Sequence, residues 1–171
     1  EAIETLQGRG PADLLAMCYA LGSQMVVLAK QADDLDEARS KLEEALQTGA
    51  ALDKFKEMVQ NQGGDTTVID HPDQLLSAKY TVELPAKKAG VVTKIVANEI
   101  GVAAMMLGAG RQTKEDAIDH AVGLKLRKKV GDSVQEGDSL VSIYSNTKAR
   151  GEVKELWYEN ITIGATSKEP V

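Results

Sequence analysis

The spacing of apolar residues changes once along this chain, at Asp70-His71-Pro72, and that switch limits the fold to a helical segment followed by a segment rich in strands. Before it, the stretch PADLLAMCYALGSQMVVLAKQA repeats Leu14, Cys18, Leu21, Met25 and Leu28 at alternating steps of four and three, the signature of one helix face. Pro11 suits the first helical position, where its missing amide hydrogen would have no partner anyway. Gly22 costs about 1 kcal/mol relative to Ala in mid-helix, which predicts a close helix contact or a break there. A second helix is expected over Leu35 to Thr48, with Asp34 and Glu37 placed as a capping box and Gly49 as its stop. Its buried stripe would be Leu35, Ala38, Leu42, Ala45 and Leu46. A third, over Ala50 to Asn61, would bury Leu52, Phe55, Met58 and Val59 and end at Gly63-Gly64.

Beyond Pro72, AKYTVELPA and GVVTKIVA read as strands, then a short helix runs from Asn98 to Leu107 into a turn at Gly108-Ala109-Gly110. GLKLRKKV and DSLVSIYS read as two more strands, with Gly131-Asp132 and Gly137-Asp138 as turns between them. A final helix over Thr147 to Tyr158 leads to a strand at Ile161 to Ile163. A domain boundary falls between Val68 and Leu76, giving domains 1–70 and 76–171.

The 171 residues allow one medium or two small domains. A formal net charge of −6 offers no basic field for a polyphosphate backbone, and an aromatic content of 4% gives few faces for base stacking, so nucleic acid is not an expected partner. Cys18 is the single cysteine, which excludes an internal disulfide. Its apolar neighbours predict a buried, structural thiol, and a reducing cytoplasm fits. The longest apolar run, Met25 to Ala29, falls far short of a membrane span. A first residue of Glu, set within a helical pattern, predicts a piece of a longer chain.

Chemistry-bearing residues are sparse. Gly108-Ala109-Gly110-Arg111 could cradle a phosphate through backbone amides and a guanidinium fork, although its spacing matches neither a P-loop nor a dinucleotide fingerprint; a structural turn is the favoured reading. His120, next to Asp119, could be a tuned acid or base, and the plainer reading is a loop-edge residue bonded to backbone. His71, before Pro72, reads as a turn residue, and neither histidine has a partner at metal-ligand spacing. Asp33, Asp34, Asp36 and Glu37 suit the positive end of a helix. Lys87-Lys88 and Arg127-Lys128-Lys129 read as charges protecting strand edges, and Trp157 and Tyr158 as packing groups.

The words AKKAGVVTKIVANEIGVAAMMLGAGRQTKEDAIDHAVGL and KLRKKVGDSVQEGDSLVSI stand in that order between Ala86 and Ile143. Gly22-Ser23-Gln24-Met25 and Asn61-Gln62-Gly63-Gly64-Asp65 stand upstream of them. Together they resemble the C-terminal part of the pyrimidine-nucleoside phosphorylases, which include thymidine phosphorylase. The resemblance implies an α+β fold: residues 1–70 as a helical part of a larger α/β domain, and 76–171 as a C-terminal, hammerhead-like α/β subdomain with a small, mostly antiparallel sheet. It implies a homodimeric pentosyltransferase that splits pyrimidine nucleosides with inorganic phosphate. Neither the family's Gly/Ser-rich phosphate loop nor its arginine, serine and lysine set around the base occurs here, so no catalytic or substrate-binding residue is expected in this segment. The family's monovalent-cation site places a glutamate before an Ala-Ile-like pair; Glu1-Ala2-Ile3 matches it, which implies Glu1 as one ligand of a potassium-like ion, with no organic cofactor. The Gly108-Ala109-Gly110-Arg111 word then belongs to loop geometry and interdomain contact, where Arg111→Ala would lower turnover more than folding. An alternative of another class is a biotinyl/lipoyl-type carrier domain modified at Lys148, suggested by VGDSVQEGDSLVSIYSNTKA, although the tripeptide around a modified lysine is not reproduced.

Overall fold

A computed structural model describes residues 1–111, 113–148 and 151–165. The chain divides into two units, one from Glu1 to Leu75 and one that begins at Leu76.

The first unit is helical: α1 (Ala2–Leu6), α2 (Ala12–Leu28), α3 (Leu35–Gln47), α4 (Ala50–Asn61) and α5 (Thr67–Asp70), then a 3₁₀ turn over Pro72–Gln74. Pro11 caps α2 from just outside it, one position earlier than expected, because its extended ψ of 135° turns the chain into the helix. Asp34 caps α3 by accepting the Glu37 amide at 2.8 Å, and the Glu37 carboxylate reaches back to the Asp33 amide at 2.8 Å. Gly49 adopts φ 83°, which lets the chain leave α3 and start α4 without a straight residue between them. The close contact expected at Gly22 is present, since a Cβ there would come within 2.9 Å of Leu42 Cδ1. On the same side of α2, Ser23 is buried and the Arg39 guanidinium lies 5.0 Å from the centre of the Tyr19 ring.

The expected burial of the first unit is only partly realised. Ala38 and Ile69 are enclosed, but Leu21, Met25, Leu28, Leu35 and Met58 are exposed. Cys18 is exposed as well, contrary to the buried thiol expected from its neighbours. Apolar neighbours in sequence enclose a residue only when another element covers their face, and among the described residues of this unit none covers that side of α2.

Among the described residues the second unit carries six strands: β1 (Tyr80–Pro85), β2 (Gly90–Ile95), β3 (Gly123–Leu126), β4 (Ser133–Val134), β5 (Ser139–Ser145) and β6 (Ile161–Gly164). They form two three-stranded sheets, β1-β5-β3 and β4-β2-β6, and every pairing is antiparallel. Helix α6 (Ala97–Ala104) runs into a π-helical turn over Met105–Ala109, and α7 (Gly151–Asn160) leads directly into β6. Thr147 and Lys148, expected at the start of the last helix, precede it, and residues 149–150 lie outside the described residues.

Strand alternation splits β5 between two cores. Val141 and Ile143 point with Leu84 toward Ala103, Val153 and Trp157, while Leu140 joins Ala86, Val92, Val134 and Ile161. The register sets Val82 and Leu124 on either side of Ile143, and Leu84 and Leu126 on either side of Val141. Gly131 (φ 99°) and Gly137 (φ 91°) make the two expected turns. In each, an aspartate closes the turn: Asp132 accepts the Lys129 amide at 2.7 Å and Asp138 the Gln135 amide at 3.0 Å.

Candidate functional site

Within the second unit, the chain after α6 is drawn into a knot of polar contacts. Gly108 adopts φ 102°, so the helical run breaks there, and its carbonyl accepts the Asp119 amide at 2.9 Å. The Asp119 carboxylate in turn accepts the Ala121 amide at 3.0 Å and the Asn146 side-chain amide at 2.7 Å. Asn146 also accepts the Lys79 amide at 2.9 Å, so one side chain joins the end of β5, the approach to β1 and the Gly108 turn. The Asn146 hydrogen bond foremost, then the Ala121 amide and the charge of His120, hold the Asp119 carboxyl below its ordinary range against the opposing effect of burial.

Beside this knot lies a cavity of about 330 Å³ lined by Met105, Leu107, Gly108, Asp116 and Val153 among others. Thr113 fixes Asp116, donating its amide at 2.8 Å and its hydroxyl at 2.9 Å. The described lining carries the Asp116 carboxylate and no lysine or arginine, so its charge opposes a phosphate. Arg111 is exposed beyond the turn. The geometry favours the structural reading of Gly108-Ala109-Gly110-Arg111: the Gly108 carbonyl holds the loop to Asp119, and the acidic lining beside it suits no phosphate. His120 stands exposed in the turn after Asp119, and His71 is exposed before the 3₁₀ turn.

The basic residues are used locally. Lys87 and Lys88 lie in the connection from β1 to β2, where the Lys87 ammonium sits 3.6 Å from the centre of the Tyr158 ring and the Tyr158 hydroxyl donates to the Pro85 carbonyl at 2.8 Å. Arg127 donates to the Ser142 hydroxyl at 2.7 Å, and Ser142 donates to the Glu83 carboxylate at 2.8 Å. The Ser139 hydroxyl bonds the same carboxylate. Lys128 donates to the Ser133 carbonyl at 3.1 Å and faces Asp138 at 3.6 Å. Arg127 therefore braces the β1-β5-β3 sheet, Lys128 the turns at Gly131 and Gly137, and Lys87 the packing of α7, roles beyond the edge protection expected of them.

Glu1, the expected cation ligand, is an exposed residue at the start of α1 whose carbonyl accepts the Thr5 amide at 2.9 Å. No group of three or more His, Cys, Asp or Glu able to hold a metal ion occurs among the described residues. Lys148 lies between β5 and α7, not at the tip of a β-hairpin, so the swinging-arm geometry of a carrier lysine is not formed.

The comparisons with known proteins agree with this architecture. A family model described as the pyrimidine nucleoside phosphorylase C-terminal domain matches residues 91–164. Pyrimidine-nucleoside phosphorylase of Bacillus subtilis (strain 168) is 59% identical over 170 residues, covering 99% of this chain and 39% of the relative. The enzyme of that name from Staphylococcus aureus (strain USA300) is 58% identical over 163 residues, covering 95% of this chain and 38% of the relative. The chain belongs to the pyrimidine-nucleoside phosphorylase family.

It corresponds to the C-terminal portion of those phosphorylases and spans about two fifths of the length of the curated relatives it matches. The Asp119–Asn146 knot and the Gly108 turn both lie within the matched C-terminal domain. Sequence reading singled out the turn through its glycines. It missed the knot, because 27 positions separate Asp119 from Asn146 and no local motif links an aspartate to an asparagine at that distance.

Proposed function

We propose that this chain is the supporting C-terminal portion of a pyrimidine-nucleoside phosphorylase, a pentosyltransferase that converts a pyrimidine nucleoside and orthophosphate to the free base and ribose or deoxyribose 1-phosphate. The observation that carries this reading is the 59% identity to the Bacillus subtilis enzyme over 99% of the chain. As the bond to the base breaks, the sugar carbon gains positive character and the leaving base gains negative charge, so catalysis needs anion-binding and base-stabilising groups on opposite sides of that bond. The described residues assemble no such pair of sites. In this reading residues 1–70 belong to the helical part of the larger α/β domain and 76–171 form the C-terminal α/β subdomain that supports it. Bond breaking falls to the portion of the family protein that the match leaves out.

The same reading makes the protein a cytoplasmic homodimer, with Glu1 contributing one oxygen to a potassium-like ion whose other ligands come from that remaining portion. Domain closure around substrate would depend on the rigidity of this subdomain, to which the Asp119 and Asn146 bonds around the Gly108 turn contribute. The test is a chimaera in which this chain replaces the matching part of Bacillus subtilis pyrimidine-nucleoside phosphorylase. Incubation with uridine or thymidine should release free base only when orthophosphate is present, and the 171-residue chain alone should release none. A folded chimaera without phosphate-dependent release would refute the proposal.

A further inference from the structure

One of the two cores in the second unit opens to solvent. Leu140 and Ile161 belong to it and Ile163 packs against it, yet all three line a cleft of about 310 Å³ whose other walls are Lys87, Lys88 and Tyr158. These residues come from the β1–β2 connection, β5, α7 and β6, all within the second unit. Their arrangement is fixed by contacts inside that unit. The Tyr158 hydroxyl donates to the Pro85 carbonyl, which sets the ring beside the connection that carries both lysines, and the Lys87 ammonium lies over the ring at 3.6 Å from its centre. The Ile163 side chain fills the space left by Gly90, where a Cβ would come within 2.7 Å of Ile163 Cγ2. Among the described residues neither ammonium is paired with a carboxylate.

We propose that this cleft binds a small organic carboxylate with an apolar body, the body lying on Leu140, Ile161 and Ile163 and the carboxylate meeting the ammonium groups of Lys87 and Lys88. The proposal goes beyond the reading under Proposed function and does not depend on it. Apolar walls with a few convergent polar groups are the usual make-up of a small-molecule site, and the volume is of the order such sites have. An ammonium drawn to a ring face on one side can still donate to an anion on the other, so the carboxylate adds to the Lys87–Tyr158 contact without replacing it. Charge and shape together select this class. Inorganic phosphate would lose hydration against an aliphatic floor that returns no hydrogen bond. A neutral apolar molecule would leave two neighbouring ammonium groups uncompensated. An extended polyanion would meet a chain of formal charge −6 beyond the cleft, and a second copy of the chain needs far more area than a cleft of this size supplies.

Naphthoate is the probe, with naphthamide as its uncharged counterpart of the same shape. Each is titrated into the isotope-labelled 171-residue chain and followed through amide chemical shifts. Naphthoate should shift the Lys87, Lys88, Tyr158 and Ile163 signals to saturation, and naphthamide should bind about tenfold more weakly or worse. Lys87→Gln with Lys88→Gln should lower naphthoate affinity by about tenfold or more while the β5 signals keep their positions. Lys88→Gln alone, which leaves the Lys87–Tyr158 contact in place, should lower it by about threefold or more, and added salt should weaken binding to wild type but hardly to the double variant. Equal affinity for naphthoate and naphthamide would overturn the proposal, as would saturable shifts that leave these four residues unmoved, or no saturable shift at all. Naphthoate binding that weakens as the protein is concentrated would overturn it too, because a second copy would then be covering the cleft.

Discussion

Single residues in the second unit decide more than their exposure suggests, and Glu83 is the clearest case. It lies on the outer face of the β1-β5-β3 sheet, where bonds from Ser139 and Ser142 and the charge of Arg127 hold its carboxyl below the ordinary value near 4.5, against a smaller opposing effect of burial. A carboxyl with a depressed folded-state pKa contributes stability that is present above its unfolded pKa and is lost as pH falls through its folded pKa. Wild type should therefore lose melting temperature faster than Glu83→Gln between about pH 5 and about pH 3, the gap between them narrowing as acid protonates Glu83. Equal slopes would show that the serines do not prefer the charged form. Trp157 is the other decisive residue: it is wholly buried, and among the described residues its indole nitrogen has no hydrogen-bond partner. Trp157→Ala should cost about 3–5 kcal/mol through the cavity it leaves. Trp157→Phe should cost well under that, because it keeps much of the ring volume and removes an unpaired donor. Urea unfolding of the two variants, followed by circular dichroism, measures the difference. The sequence made Trp157 legible as a packing group but not its missing partner, which depends on neighbours drawn from α6, β5 and α7.

Among the elements, those with strong local chemistry could be read from sequence, and those made by tertiary contact could not. Helix α3 carries its own cap in Asp34 and Glu37, and the two Gly-Asp turns carry both the positive φ and the closing carboxylate, so each appears where expected. Strand β4 has two residues and no alternation to reveal it; pairing with β2 alone defines it. The π-helical turn at Met105–Ala109 likewise has an α-like pattern of apolar residues, and the break is set by Gly108 and its bond to Asp119. Gly90 marks where the β2–β6 pair is tightest. Its φ is 154°, and a Cβ there would stand 2.5 Å from the Gly164 carbonyl oxygen, a backbone atom that cannot turn aside. Gly90→Ala should destabilise the second unit by about 1–3 kcal/mol or more. By contrast, a Cβ at Gly22 meets only the end of the Leu42 side chain, which can rotate, so Gly22→Ala should stay within about 1 kcal/mol of wild type, the gain in helix propensity offsetting the crowding. Denaturation curves would settle both, and a neutral Gly90→Ala would mean that the two strands have room to part.

At the scale of the molecule, periodicity in the sequence announces that a helix has an apolar face, but what covers that face is a property of the whole polypeptide. This is why the alternation of Leu14, Cys18, Leu21, Met25 and Leu28 located α2 correctly and yet gave the wrong environment for Cys18. The site is illegible for a related reason: the match covers about two fifths of the relatives' length, and whatever chemistry the remainder carries leaves no trace in these residues. The consequence for stability is an uneven molecule. Val141, Ile143, Val153 and Trp157 are fully enclosed in the second unit, while the helices of the first keep large apolar side chains in water. Opening free energies follow buried apolar contact, so the two units should exchange amide hydrogens on different scales. In the 171-residue chain, amides of β5 should be the slowest to exchange, and those of α2 and α4 should exchange at least a hundredfold faster. In the full-length chimaera, α2 should slow toward the β5 rate as its face is covered, while β5 itself changes little. Amide exchange read by mass spectrometry on both proteins tests this. If α2 in the free chain were already as protected as β5, the helices would draw their stability from within the first unit, and the exposed strip on α2 would need no cover.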